Sequence, residues 1–187
     1  SKEAIFRAHF NVKPSDKVVI SAGLFFARKG IDDFVEVARR MPDVTFIWFG
    51  HINPYFIPSR IRRIVEGDHP ANVIFPGYIK GDIYEGAMTG ADAFFFPSRE
   101  ETEGIVVLEA LASRQNLVLR DIPVYDGWLD DSSAYLAKDI PGFVKALETI
   151  FAGQTCKVSA GYQVAGDKDI RLVAKDLAAV YQKVMEL

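Results

Sequence analysis

Two glutamates with seven residues between them, Glu101 and Glu109, sit in the stretch Ser98–Ser113, SREETEGIVVLEALAS. A carboxylate accepts hydrogen bonds and donates none, so a fixed pair of them suits the paired hydroxyls of a sugar. Between the two, Gly104 opens an apolar helix. The backbone N–H groups of Gly104, Ile105 and Val106 find no acceptor inside that helix and form an anion-binding end. Earlier in the chain, Gly23-Leu24-Phe25-Phe26-Ala27-Arg28-Lys29-Gly30 leads from a strand into another helix. There Arg28 and Lys29 place positive charge beside the positive end of a helix dipole, which suits a diphosphate.

Each feature also has a plainer reading. Arg28-Lys29 reads as a solvated turn, and Glu100, Glu101 and Glu103 as acids that favour a helix start. Glu109 reads as a surface residue, but it resists that reading most. Ile105-Val106-Val107-Leu108 precede it and Ala110-Leu111-Ala112 follow it. A carboxylate buried there without partners would be costly, and ligand hydroxyls would offset the cost. Both readings of Glu109 stand at this point.

Other chemistries find less support. The 187 residues are 49% hydrophobic and 25% charged with a net charge of -3, which suits an ordinary globular domain and lacks the basic field of a nucleic-acid binder. One cysteine, Cys156, allows no internal disulfide and no thiolate metal cluster. There is no HExxH, no D-x-D and no Cys/His cluster, so no protein-bound metal is expected. His9 and His69 read as surface residues, whereas His51 is better placed, directly after a strand. Asp32-Asp33 reads as helix capping, Asp130-Asp131 as a turn, and Arg60–Ile64 (RIRRI) as a solvated helix face or a contact to anionic lipid or substrate. No apolar run approaches the length of about 20 residues that a membrane span needs.

These residues need elements to hold them. Strands are predicted at Lys17–Ala22, Val44–Phe49, Asn72–Phe75, Ala93–Phe96 and Asn116–Leu119. Helices are predicted at Gly30–Met41, around RIRRIVE within Tyr55–Gly67, at Ile83–Met88, from Gly104 onward, at Pro141–Ala152 and at Lys168–Glu186. A polar connection is expected between the last strand and Pro141. Alternating strands and helices imply βαβ units, and runs such as FIWF and AFFF are too continuously apolar for half-exposed strands. The expectation is an α/β fold: a Rossmann-like parallel sheet with helices on both faces, residues 1–187 forming a single domain. Ligands of such sheets bind beyond the carboxyl ends of the strands.

Taken together, Glu101-TEGIVVL-Glu109 resembles the E-x7-E motif of the retaining GT-B enzymes called glycosyltransferase group 1. Gly23 with Lys29-Gly30, Gly50, Gly77-Tyr78-Ile79 and Ala91-Asp92 leading to Pro97-Ser98 match that family in order and spacing. The similarity covers essentially the whole chain and corresponds to the C-terminal, donor-binding half of a GT-B fold. The resemblance implies that Lys29 holds the donor diphosphate, with Gly23 and Arg28 in the same loop. It implies that the amides of Gly104, Ile105 and Val106 face diphosphate and sugar, and that Glu101 contacts sugar hydroxyls. Glu109 would take the ribose hydroxyls, and the Ile79 backbone would pair with uracil. Lys29 and Glu101 would be the catalytic residues.

The same resemblance implies a UDP-sugar as substrate, retention of configuration and no obligatory metal or other cofactor. A lipid or glycan acceptor would bind through an N-terminal domain outside this chain. Cytoplasmic location is expected, with peripheral contact to the inner face of the cell membrane as an option for the full-length enzyme. The isolated chain is expected to bind nucleotide weakly and to turn nothing over. Leu24 replaces the family's usual Arg, for which Arg28 is the candidate substitute; Thr102-Glu103 replaces Gly-Phe, and Arg114-Gln115-Asn116 replaces Gly-x-Pro. The wording EETEGIVVLEALA, with Arg120-Asp121-Ile122-Pro123-Val124-Tyr125, is similar to bacterial glycolipid synthases that glycosylate diacylglycerol. A dinucleotide-binding domain and a non-catalytic α/β module remain as rivals. The first lacks its glycine fingerprint and an acid closing the second strand, where Gly50 and His51 stand.

Overall fold

The computed structural model describes residues 1–185. Its centre is a six-stranded sheet of β1 (Val18–Ala22), β2 (Thr45–Phe49), β3 (Val73–Gly77), β4 (Ala93–Phe96), β5 (Leu117–Arg120) and β6 (Tyr135–Ala137). The strands run in the order β3-β2-β1-β4-β5-β6, and every pairing is parallel. Side chains alternate between faces along each strand, and both faces are covered, which is why the apolar runs are unbroken. Phe95 joins Val19, Phe34, Trp48 and Phe143 on one face, while Phe94 and Phe96 join Phe6, Ile20, Val107 and Leu111 on the other.

Five predicted strands and the principal predicted helices are present, with ends shifted by a few residues. Among the helices are α1 (Lys2–His9), α2 (Ile31–Arg40), α3 (Ser59–Glu66), α4 (Asp82–Gly90), α5 (Ile105–Ala112), α6 (Ile140–Phe151), α7 (Val158–Asp167) and α8 (Ile170–Met185). Asp139 caps α6 by accepting a hydrogen bond from the Gly142 amide at 2.9 Å. The helix expected over Lys168–Glu186 begins instead at Ile170; Glu186 lies outside the described residues. None of α8's residues is buried, and no helix among the described residues is long and apolar enough to cross a membrane.

Three elements escaped the sequence reading. In α1 only Phe6 is buried, and the helix lies on α4 because α4 carries glycines: a Cβ at Gly86 would stand 2.1 Å from the Lys2 carbonyl oxygen. Helix α7 seats Gly161 where a Cβ would come within 2.7 Å of Leu111. Strand β6 interrupts the stretch expected to be a polar connection, pairing Tyr135 with Val118.

Candidate functional site

Connections leave β1 and β4 toward opposite edges of the sheet, so their carboxyl ends part and leave a crevice. The loops beyond them are tied together. The Arg99 amide donates to the Arg28 carbonyl at 2.7 Å, and the Arg28 guanidinium donates to the Glu100 carbonyl at 2.9 Å. Gly30, at φ +75°, lies against the other loop so closely that a Cβ would sit 2.4 Å from the Pro97 carbonyl oxygen. Arg99 also bridges Asp32 at 3.0 Å and Asp33 at 2.6 Å, and Arg120 reaches Asp33 as well. The capping reading of this aspartate pair was therefore incomplete: it fastens α2 to the loop after β4. Burial pushes the Asp32 carboxyl upward, but the hydrogen bond and charge of Arg99, with Arg60, outweigh it and hold it below its ordinary value.

Inside this junction lies a nearly buried ion pair. Lys29 Nζ stands 2.6 Å from Glu101 Oε1, with side chains only 14% and 7% exposed. Ser98 Oγ donates to the same oxygen at 2.6 Å, and Arg28 approaches it at 3.9 Å. Glu101 was read as a helix-start acid or a sugar ligand; its partner is a lysine 72 residues away. Beneath it, Tyr125 is buried with an unpartnered hydroxyl, and that burial, with the charge of Glu101, pushes its ionisation far upward.

A cleft of about 370 Å³ opens above the pair, lined by Gly23, Arg28, Lys29, Glu101, Gly104, Ile105 and Val106 among others. Gly104 takes the left-handed conformation, φ 71°, and starts α5 there. The first N–H groups of α5 thus join the cleft that holds Lys29, Arg28 and Glu101. Ile105 is 62% exposed on its rim.

A second hollow of about 290 Å³ shares Ala22, Gly23 and Leu24 with the first and continues along Gly50, His51, Tyr78, Ile79 and Tyr84. Gly50 is fixed by contact: a Cβ there would lie 1.9 Å from the Gly23 carbonyl oxygen, which also accepts from Trp48 Nε1 at 2.9 Å. Ile79 lines this hollow. Leu24, where the family pattern has Arg, is 45% exposed between the two spaces.

Glu109 is exposed, so of the two readings left open the surface one describes its burial, despite its apolar neighbours. Only Val107, Ala110 and Leu111 of α5 are buried, a stripe narrower than the sequence suggests, and Ile105, Glu109 and Ala112 face outward at helical spacing. The carboxylate is not isolated. It meets the hydroxyl of Tyr84, and burial, followed by the charge and hydrogen bond of Glu109, pushes that tyrosine up to about 12. Tyr84 projects from α4 into the second hollow, so Glu109 stands at the hollow's side. Neither Tyr84 nor Tyr125 carried a local sequence signal. Ser98 was visible only as part of a motif, and His69, read as a surface residue, is partly buried, with Nδ1 2.6 Å from the Ile64 carbonyl oxygen.

Residues 2–139 match the model of the family described as glycosyl transferases group 1. The chain belongs to this family. It is 47% identical over 184 residues to the processive diacylglycerol alpha-glucosyltransferase of Acholeplasma laidlawii, covering 97% of this chain and 55% of that protein. It is 33% identical to the alpha-galactosylglucosyldiacylglycerol synthase of Streptococcus pneumoniae over 66% of this chain and 34% of that one. The chain therefore spans about half or less of the length of these relatives. Among solved structures, sucrose-phosphate synthase from Thermosynechococcus elongatus superposes with a TM-score of 0.83 at 21% identity, over 98% of this chain and 49% of that one. That likeness establishes the shared α/β fold of one half of such enzymes.

Proposed function

We propose that this chain is the donor-binding half of a retaining glycosyltransferase that moves a hexose from a UDP-sugar, UDP-glucose being the first candidate, to a diacylglycerol-type lipid. The observation that carries this reading is the convergence of Lys29, Glu101 and the N-terminus of α5 on one cleft. The names of both glycolipid-synthesising relatives support the acceptor class. In this reading the diphosphate lies over Lys29 and the amides of Gly104, Ile105 and Val106. Lys29 has three N–H donors, and Glu101 occupies one, so others remain for phosphate oxygens. As the sugar–phosphate bond breaks, charge grows on the leaving diphosphate, where ammonium and helix terminus are already in place.

Glu101 takes hydroxyls of the sugar. The uracil lies in the second hollow against the Ile79 backbone, and Glu109, steadied by Tyr84, takes the ribose hydroxyls at its side. The acceptor meets the sugar from a domain outside this chain. Transfer without a resident metal belongs to the proposal, and treatment with EDTA is expected to leave the rate unchanged. Cytoplasmic location with peripheral membrane contact belongs to it too, and is checked by co-sedimentation of the full-length protein with lipid vesicles.

The decisive assay supplies the full-length protein with UDP-glucose and diacylglycerol vesicles. Formation of an α-glucosyl lipid, abolished by Lys29→Ala, is the expected result. Binding of NAD in preference to UDP, or no lipid product with any UDP-hexose, would overturn the reading.

A further inference from the structure

Ser98 is 1% exposed and lies at the start of the loop that follows β4, beside the cleft. Its hydroxyl has a single proton and three oxygens in reach: Glu101 Oε1 at 2.6 Å, the Glu100 carbonyl at 3.0 Å and the Arg28 carbonyl at 3.3 Å. The shortest contact is also the charged one, and a hydrogen bond to an ionised acceptor is about twice as strong as a neutral one. The proton therefore goes to Glu101. Lys29 meets that same Oε1, and so does Arg28 at longer range. Each of these hydrogen bonds and ion pairs of the Glu101 side chain falls on this one oxygen. The carboxylate is thus anchored by Oε1, and Oε2 is the oxygen left for the cleft.

We propose that Ser98 is a positioning residue for donor-sugar recognition: by pinning Glu101 Oε1 against Lys29, it turns Oε2 toward the hydroxyls of the transferred hexose. This rests on the donor reading given above. Lys29 alone would attract the carboxylate without fixing its rotation, because an ammonium is a point charge with freely turning donors. Ser98, held by a buried backbone, supplies the second fixed point. The consequence is selective. Losing the hydroxyl loosens the grip on the sugar and leaves the diphosphate, held by Lys29 and α5, in place.

The test compares affinities for UDP-glucose and UDP in the full-length protein. Ser98→Ala is expected to weaken UDP-glucose about tenfold while UDP stays within about twofold. Ser98→Thr and Ser98→Val add equal bulk and differ only in the hydroxyl, so Thr is expected to bind UDP-glucose several-fold more tightly than Val even if both lose stability. In a Glu101→Gln background, adding Ser98→Ala is expected to change UDP-glucose affinity by less than about twofold, since the two residues act as a unit. If Ser98→Ala weakens both ligands alike, or if Thr and Val behave alike, the positioning role is wrong. If Glu101→Gln weakens UDP-glucose but Ser98→Ala does not, the proposal alone falls. If Glu101→Gln leaves UDP-glucose binding unchanged, the donor reading falls and takes this proposal with it.

Discussion

On the Lys29 side of the crevice, charge is packed away and fastened: Glu101 is 7% exposed, paired with Lys29, bonded to Ser98 and carried on loops that hydrogen-bond to each other. On the Ile79 side the walls are largely apolar or aromatic, and the carboxylate that meets Tyr84 there, Glu109, is exposed. Both glutamates belong to one motif, yet one is built into the fold and the other is set upon it. A buried ion pair is held in one arrangement by the structure around it and is costly to break. An exposed carboxylate is free to accept a ligand at little cost to stability. In the function proposed above, the first side receives charge that grows during transfer, and the second admits and releases a nucleoside.

The backbone that both sides share should be the most sensitive point. Gly50→Ala drives a Cβ into the Gly23 carbonyl, and Gly23 lines both hollows. A loss of about 3 kcal/mol or more is expected in urea unfolding. A change below 1 kcal/mol (the size of an ordinary surface substitution) would mean the two sides are not joined there.

Lys29→Ala comes next, because it strands Glu101 in a buried position. A destabilisation of about 3 kcal/mol is expected, together with loss of UDP binding. Replacing both partners, Lys29→Met with Glu101→Leu, removes the stranded charge. The double variant is expected to recover most of the stability by urea unfolding and none of the binding by calorimetry. Recovery of neither would mean the pair is needed for folding itself.

Glu109→Ala supplies the contrast. At this exposed position the change in unfolding free energy is expected to stay within about 0.5 kcal/mol. UDP affinity is expected to fall about tenfold through lost bonds to the ribose.

The smallest effect is spectroscopic. Tyr84, raised to about 12, should not yet ionise at pH 11, and the 295 nm difference between wild type and Tyr84→Phe should develop only above that. A tyrosine whose folded pKa is raised contributes stability that is complete below its unfolded value of 10.0 and lost as pH rises toward about 12. Tyr84→Phe should therefore flatten the alkaline limb of the stability curve in that window. Glu109→Gln removes one of the groups that raise it and should move the transition to lower pH.

Much of this architecture could be read from the chain. The β1 to β5 segments are largely apolar because helices cover both faces, and those apolar runs, with the Gly and Pro residues that end several of them, locate them. Residues of the ordered motif set line both hollows. Elements held by close backbone approach were hidden. Helix α1 depends on Gly86 lying under Lys2, and α7 on Gly161 against Leu111, contacts that no local pattern records. The burial of the two glutamates was illegible for the same reason in opposite directions. Glu101 sits in EET, which looks solvated, but is buried by a lysine 72 residues away. Glu109 sits among aliphatic residues, which look buried, but α5 turns only Val107, Ala110 and Leu111 inward. Burial of a side chain is a property of what packs across from it, and its sequence neighbours are a weak guide.

The most direct test sets the two glutamates against each other with two ligands. UDP and UDP-glucose affinities are measured by calorimetry on the full-length protein carrying either Glu101→Gln or Glu109→Gln. Glu101→Gln is expected to weaken UDP-glucose and spare UDP, while Glu109→Gln weakens both by the same factor. If the two variants lose affinity for both ligands in the same ratio, or if neither loses any, the division of the crevice into a sugar side and a nucleoside side is contradicted.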